Sequence, residues 1–277
     1  MSRLVIFGLG YSASRIAAAV RGRGWDVIST GSAGTIRFDD SASVRVALAD
    51  ATHILSSVPP SVDGDAVLAT YGDAIAKSPA SWLGYLSSTG VYGDCGGAWV
   101  DESAPIKGRR RTRNEADSQW QERGARIFRL PGIYGAGRSA LDRVADGKAH
   151  RIDISTQVFS RIHVDDIVSG VLAGFAAPLG VYNLSDDQPC SQNRVIEAAC
   201  DLLNCPYPPL QSIEAANLSR MALEFYAENR RVSNLKAKRV LGWQPAFPTY
   251  QDGLRALSAT AKPESAVTHP ATANGVQ

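Results

Sequence analysis

The residues best placed to do chemistry open the chain. Gly8-Leu9-Gly10-Tyr11-Ser12-Ala13 has the spacing glycine-x-glycine-x-x-alanine, set between the apolar run Leu4-Val5-Ile6-Phe7 and a helical pattern. Gly8 permits a tight turn, Gly10 lets phosphate oxygens approach the backbone, and Ala13 lets the helix pack on the strand. The first N–H groups of that helix, at Tyr11, Ser12 and Ala13, are then free to meet a pyrophosphate. The competing reading is a glycine-rich turn that holds no ligand.

About twenty residues on, a carboxylate at the end of the second strand would favour NAD. That place holds Ser29-Thr30-Gly31-Ser32. A neutral, hydroxyl-rich strand end leaves room for a 2′-phosphate near Thr30, within reach of Arg37. The expected cofactor is therefore NADP, with NAD the alternative. Asp39 can meet an adenine edge; equally, Asp39 and Asp40 can begin the next helix as caps.

The elements around these residues alternate. Strands are expected at 4–7, 26–29, 53–56, 82–86 and 125–130, with a short one at 35–38. Helices are expected at 12–22, 44–48, 65–76 and 111–123. Such alternation implies a parallel sheet covered on both faces. Beyond residue 131 the elements shorten, with helices near 165–177, 191–203, 213–227 and 249–259. These read as a small, mostly helical lobe beside the sheet. The organisation expected is a dinucleotide-binding domain over 1–160, a smaller lobe over 161–261 that returns in part to the sheet, and a disordered tail over 262–277.

Composition excludes several classes. A net charge of +2 in 277 residues argues against nucleic acid as a partner. No apolar run approaches the roughly 20 residues of a membrane helix. The four cysteines show no paired spacing, so reduced thiols, no metal centre and a cytoplasmic location are expected. Trp99, Trp120 and Trp243 read as packing residues.

Five ordered blocks resemble the extended short-chain dehydrogenase/reductase family, of the epimerase/dehydratase type. They are Leu86-Ser87-Ser88-Thr89-Gly90-Val91-Tyr92-Gly93, Arg129-Leu130-Pro131-Gly132-Ile133-Tyr134-Gly135, Arg161-Ile162-His163-Val164-Asp165-Asp166-Ile167, Tyr182-Asn183-Leu184-Ser185, and Asn229–Asn234 with Leu241–Pro245. The resemblance implies a Rossmann-type doubly wound α/β fold with a small C-terminal substrate lobe. It places Ser88 at the catalytic hydroxyl, Thr89 beside the substrate, and Val58 and Pro131 beside the cofactor. It also allows a homodimer.

The family's proton route uses a tyrosine with a lysine four residues later. By the same alignment Arg109 stands for the tyrosine and Arg113 for the lysine, as in an atypical subgroup lacking that pair. Arg113 keeps the charge that would hold a ribose, whereas a guanidinium at Arg109 stays protonated and cannot shuttle protons. Tyr92, four residues from Ser88, is the substitute proton donor this reading expects. Arg109 and Arg138 would bind an anionic substrate, a nucleotide sugar or another small anion. The run Arg109–Arg111 can equally be a solvated face. His163 is expected to hold the lobe together, and Asp165 and Asp166 to cap the helix that follows. The alternative to an oxidoreductase or epimerase is a non-catalytic protein that senses or scaffolds through bound NADP(H).

Overall fold

The structure, a computed structural model, describes residues 2–218, 223, 224 and 226–261. Its centre is a six-stranded sheet in which every neighbouring pair is parallel. The strands are β1 (Arg3–Phe7), β2 (Asp26–Ser29), β3 (His53–Ser56), β4 (Trp82–Ser88), β6 (Arg126–Leu130) and β10 (Val181–Asn183), in the spatial order β10-β6-β4-β3-β1-β2. The short β5 (Trp99–Val100), β7 (Gly132–Tyr134), β8 (Arg151–Ile152) and β9 (Arg161–His163) lie outside it, with β11 (Leu210–Gln211) and β12 (Arg231–Val232).

Alternation along β1 explains why the sheet is covered twice. Leu4 and Ile6 face one way, against Ile16 and Val20 of α1 (Tyr11–Arg21) and Ile167 and Val171 of α6 (Val164–Ala173). Val5 and Phe7 face the other way, against Val44 and Leu48 of α2 (Ser41–Ala49), Tyr71 and Ile75 of α3 (Ala66–Ala76), and Trp120 of α4 (Arg111–Glu122). A period of two in the strand thus meets helices on both sides, as a buried parallel sheet requires. Trp120 is fully buried, and its ring N–H donates to Asp65 Oδ2 at 2.8 Å while Asp65 Oδ1 caps α3 at Leu68 N. An apolar side chain and a helix cap therefore share one carboxylate. A third core joins α5 (Ala140–Ala145), α7 (Gln192–Leu203) and α9 (Tyr250–Ala261) through Leu141, Val195, Tyr250 and Leu254, with α8 (Leu235–Leu241) packed nearer the sheet.

Several expectations need correction. Residues 35–38 form no strand: only Ile36 bridges, to Thr30, because the chain doubles back tightly at Gly34, where a Cβ would sit 2.5 Å from Ser29 O. The return of the second half of the chain to the sheet is β10, its edge strand beside β6. The helix foreseen at 213–227 is turns over 213–217, and part of that range lies outside the described residues, as does the tail from 262. The cap of α6 is His163, whose Nδ1 accepts from Asp165 N; Asp165 and Asp166 sit inside the first turn. Asp166 is buried instead and accepts from Ala246 N and Phe247 N, which ties the start of the last helical segment to α6. Trp120 and Trp243 are buried, but Trp99 is 59% exposed on the short β5. Among the described residues no helix is long and apolar enough to cross a membrane.

Candidate functional site

The chain leaves β1 for β2 on one side and crosses to β3 on the other. The crevice at the carboxyl ends of β1 and β3 is therefore the switch point where such sheets bind ligands. Gly8 sits there with φ +83°, and a Cβ on it would lie 2.8 Å from Val58 Cγ2. The loop is braced from below: Thr30 Oγ1 accepts from Gly8 N at 3.2 Å, Thr30 O accepts from Leu9 N at 3.0 Å, and Ser57 Oγ donates to Gly8 O at 2.6 Å. Thr30 is thus turned into the loop, and its hydroxyl holds the loop's shape.

Above the loop the arrangement opens. Nothing lies within 4 Å of a Cβ position on Gly10, and α1 starts from Gly10 with no side-chain cap. Ser12 and Ala13 are buried by packing of the helix start on the strand. The uncapped N–H groups and the helix dipole make this end a receptor for negative charge. At the far end of the crevice Arg37 is exposed, forked onto Asp39 through Nε at 2.9 Å and Nη2 at 2.7 Å. Asp40 caps α2 by accepting from Ser43 N. Of the acidic pair, Asp40 follows the helix-cap reading.

The end of β4 is built differently. Ser88 Oγ accepts from Gly90 N at 3.1 Å, which leaves its own proton to be donated to an oxygen in the crevice. Behind it the polar groups close on one another. Asp117 is fully buried and accepts from Ser87 Oγ at 2.6 Å, from Arg129 Nε at 3.0 Å and Nη2 at 2.7 Å, and from Gln121 Nε2 at 2.7 Å. Arg129 Nη1 also donates to Tyr92 OH, and Tyr92 OH donates to Asn183 Oδ1 at 2.8 Å. Tyr92 is 1% exposed, and burial pushes its hydroxyl above its ordinary value. The tyrosine expected to move a proton is therefore sealed in a structural network, away from any substrate.

Arg113 lies half-buried in the first turn of α4, with no hydrogen bond to its guanidinium among the described residues. Burial lowers its affinity for a proton, helped by Arg110, while Tyr85 opposes. A desolvated, unpaired cation there fits a ligand that brings its own oxygens. Arg109, expected on the substrate, is tied elsewhere: Nε meets Glu228 Oε1 at 3.4 Å and Nη2 donates to Glu224 O at 3.0 Å. Arg110 pairs with Glu224 and Arg111 with Glu115. Arg109 and Arg110 thus reach Glu228 and Glu224, whereas Arg111 stays exposed on its own helix.

Two cavities lie beyond Pro131. A small one of about 70 Å³ is lined by Thr89, Pro131, Gly132, Ser160, Glu228 and Arg230 among others. It shares Gly132, Phe159 and Ser160 with a larger one of about 660 Å³, walled by apolar and aromatic residues such as Ile133, Val195 and Tyr250. Arg138 stands at the larger cavity's edge, 5.7 Å from the centre of the Tyr11 ring, and Tyr11 OH donates to Ala136 O. The hairpin carrying Arg138 is thereby fastened to the glycine loop. Sequence reasoning missed Ser57 and Glu228. Glu228 lies 119 positions from Arg109, and no local pattern marks it.

No family model matches the chain. Among solved structures, a functionally unknown conserved protein from Silicibacter pomeroyi DSS is 39% identical over 95% of this chain and all of its own, with a TM-score of 0.84. The human epimerase family protein SDR39U1, solved with NADPH, has the same fold at 15% identity, covering 93% of this chain and 99% of its own, with a TM-score of 0.75. Among curated proteins, a 3-diazoavenalumate denitrifying reductase of Streptomyces is 29% identical over 139 residues, 46% of this chain. The matched stretch spans 45% of that reductase, about half its length.

Proposed function

We propose that the chain is a member of the extended short-chain dehydrogenase/reductase family, of the epimerase/dehydratase type, and an NADP-dependent oxidoreductase or epimerase of a small anionic molecule. One observation carries the cofactor half of this reading. An uncapped helix start stands over a glycine loop at the sheet's switch point, with open space where phosphates would lie. The NADPH in the human relative's structure and the reductase activity of the Streptomyces relative support it.

Gly8, Gly10, Tyr11, Ser12 and Ala13 would hold the pyrophosphate, and Val58 and Pro131 would flank the nicotinamide. The Ser29–Ser32 strand end accommodates a 2′-phosphate without a carboxylate to repel it, and Arg37 can turn from Asp39 to meet it. The bound cofactor supplies or accepts a hydride. Ser88 donates its hydroxyl proton to the reacting oxygen, Thr89 lines the approach, and Arg113 fixes the ribose by charge. Arg138 faces the anionic part of the substrate, a nucleotide-sugar diphosphate or a carboxylate, at the mouth of the larger cavity.

The non-catalytic reading draws on a single observation, the sealed Tyr92. The test that separates the two is turnover. The protein is incubated with NADPH and a panel of carbonyl compounds and nucleotide sugars, and the loss of reduced-cofactor absorbance is followed. Steady oxidation with one or more panel members supports the enzyme. Saturable NADPH binding with no oxidation across the panel supports the sensor or scaffold.

A further inference from the structure

Resting on the reading above, we infer that Glu228 is the proton-transfer group of this site, in the role of the tyrosine whose place Arg109 takes. The small cavity beside Thr89 and Pro131 is where a reacting carbon would meet the nicotinamide. Among its described lining side chains, Glu228 alone can both accept and return a proton. Arg230 stays protonated, and the Thr89 and Ser160 hydroxyls are too weakly acidic. The other candidates are engaged or buried elsewhere. Tyr92 is bonded to Asn183 and Arg129, the Tyr134 hydroxyl is buried against Gly253, and His163 caps α6. Cys95 points its thiol at the backbone carbonyls of Tyr92 and Gly93.

The carboxylate is held in place. Arg230 Nη1 donates to Glu228 Oε2 at 2.6 Å and to Gly93 O at 2.8 Å, so the pair is anchored to the loop that follows Ser88. Ser88 Oγ and Arg230 Nη2 lie 3.2 Å and 4.0 Å from the position a Cβ would take on Gly90, so the hydroxyl and the guanidinium that holds Glu228 flank one patch. Arg109 Nε approaches the other oxygen, Oε1, at 3.4 Å. The residue at the tyrosine's position thus contributes by steadying an acid/base group delivered from the far end of the chain.

The step balances. In the oxidative direction the substrate's C–H electron pair leaves as hydride to NADP⁺, and its O–H bond breaks with the proton passing to a Glu228 carboxylate oxygen. The electrons of that O–H bond close the new C=O bond. In reverse the carboxylic acid returns the proton to the oxygen as NADPH supplies the hydride. Ser88 donates a hydrogen bond to the same oxygen throughout.

The experiment uses the whole protein, NADPH, and the carbonyl turned over fastest in the panel described above. Glu228→Gln keeps the shape and the hydrogen bond from Arg230. It should lower kcat by about a hundredfold or more, the usual contribution of a positioned acid/base group, with NADPH affinity unchanged. Glu228→Ala should regain part of the rate when formate is added, which a purely structural residue would not. Turnover by Glu228→Gln close to wild type overturns the inference, as does a loss of rate that follows a loss of NADPH affinity and is not rescued by formate. A wild-type protein that binds no NADPH fails earlier, at the family-level reading. One that binds it and reduces nothing in the panel removes catalysis and this role with it.

Discussion

At the end of β1 the groups that would meet a ligand are backbone N–H groups left open, whereas at the end of β4 they are side chains already bonded to one another. The first region is a loop of six residues whose shape follows from Gly8 and two hydroxyls beneath it. The second draws Ser87 and Tyr92, Asp117, Arg129 and Asn183 from four separate stretches of the chain. An open backbone cradle can receive a ligand without rearrangement. A closed side-chain network can only position its neighbours.

The largest effect should come from breaking the closed region. Asp117→Ala leaves Arg129 buried and unpaired, and should cost about 3–5 kcal/mol in a denaturant titration. A cost below about 1 kcal/mol would mean the network is not sealed. Asp186 sharpens the contrast, because it is equally buried but neither carboxyl oxygen finds a well-formed hydrogen bond. Burial pushes its carboxyl up to about 7, against the opposing charge of Arg161. The folded state therefore holds a proton that the unfolded state releases, and wild-type stability from this group falls as pH rises from about 4 through 7. Asp186→Asn should stabilise the protein at pH 8 by up to about 4 kcal/mol, with the gain shrinking toward pH 4. Equal effects at both pH values would contradict this.

Tyr92→Phe should cost about 1–3 kcal/mol, by leaving Asn183 and Arg129 short of a partner, and should leave NADPH affinity unchanged. A weakened affinity would show that the two regions are coupled. In the open region, Gly8→Val combines a left-handed backbone penalty of about 1–2 kcal/mol with a clash against Val58, and should raise the NADPH Kd about tenfold or more. The smallest effect is expected at the exposed Arg37. Arg37→Ala should weaken NADPH several-fold and leave NADH untouched, since only the 2′-phosphate distinguishes them.

The same contrast governs what the sequence could show. The β1 loop was legible because its function is carried by consecutive residues with a fixed spacing. The order of strands and helices was legible through the periods of 2 and 3.6 in the apolar residues, down to 26–29 and 53–56, which match β2 and β3 residue for residue. Tyr92 misled because four residues from Ser88 is near in sequence, while its side chain turns inward to partners 37 and 91 positions away. The Arg109–Arg111 run misled because its counter-charges are largely remote: Glu224 and Glu228 lie more than a hundred positions on. Charge runs reveal sign but not partner.

The most direct test of the account is a titration of the wild-type protein with NADPH and with NADH, followed by energy transfer from tryptophan to the reduced nicotinamide. The account predicts saturable binding of both, with NADPH clearly tighter, and loss of that binding in Gly8→Val. Tighter NADH binding would keep the cradle and contradict the reading of Ser29–Ser32 and Arg37. Binding of neither would contradict the account at its root and leave Gly8–Ala13 as a structural turn.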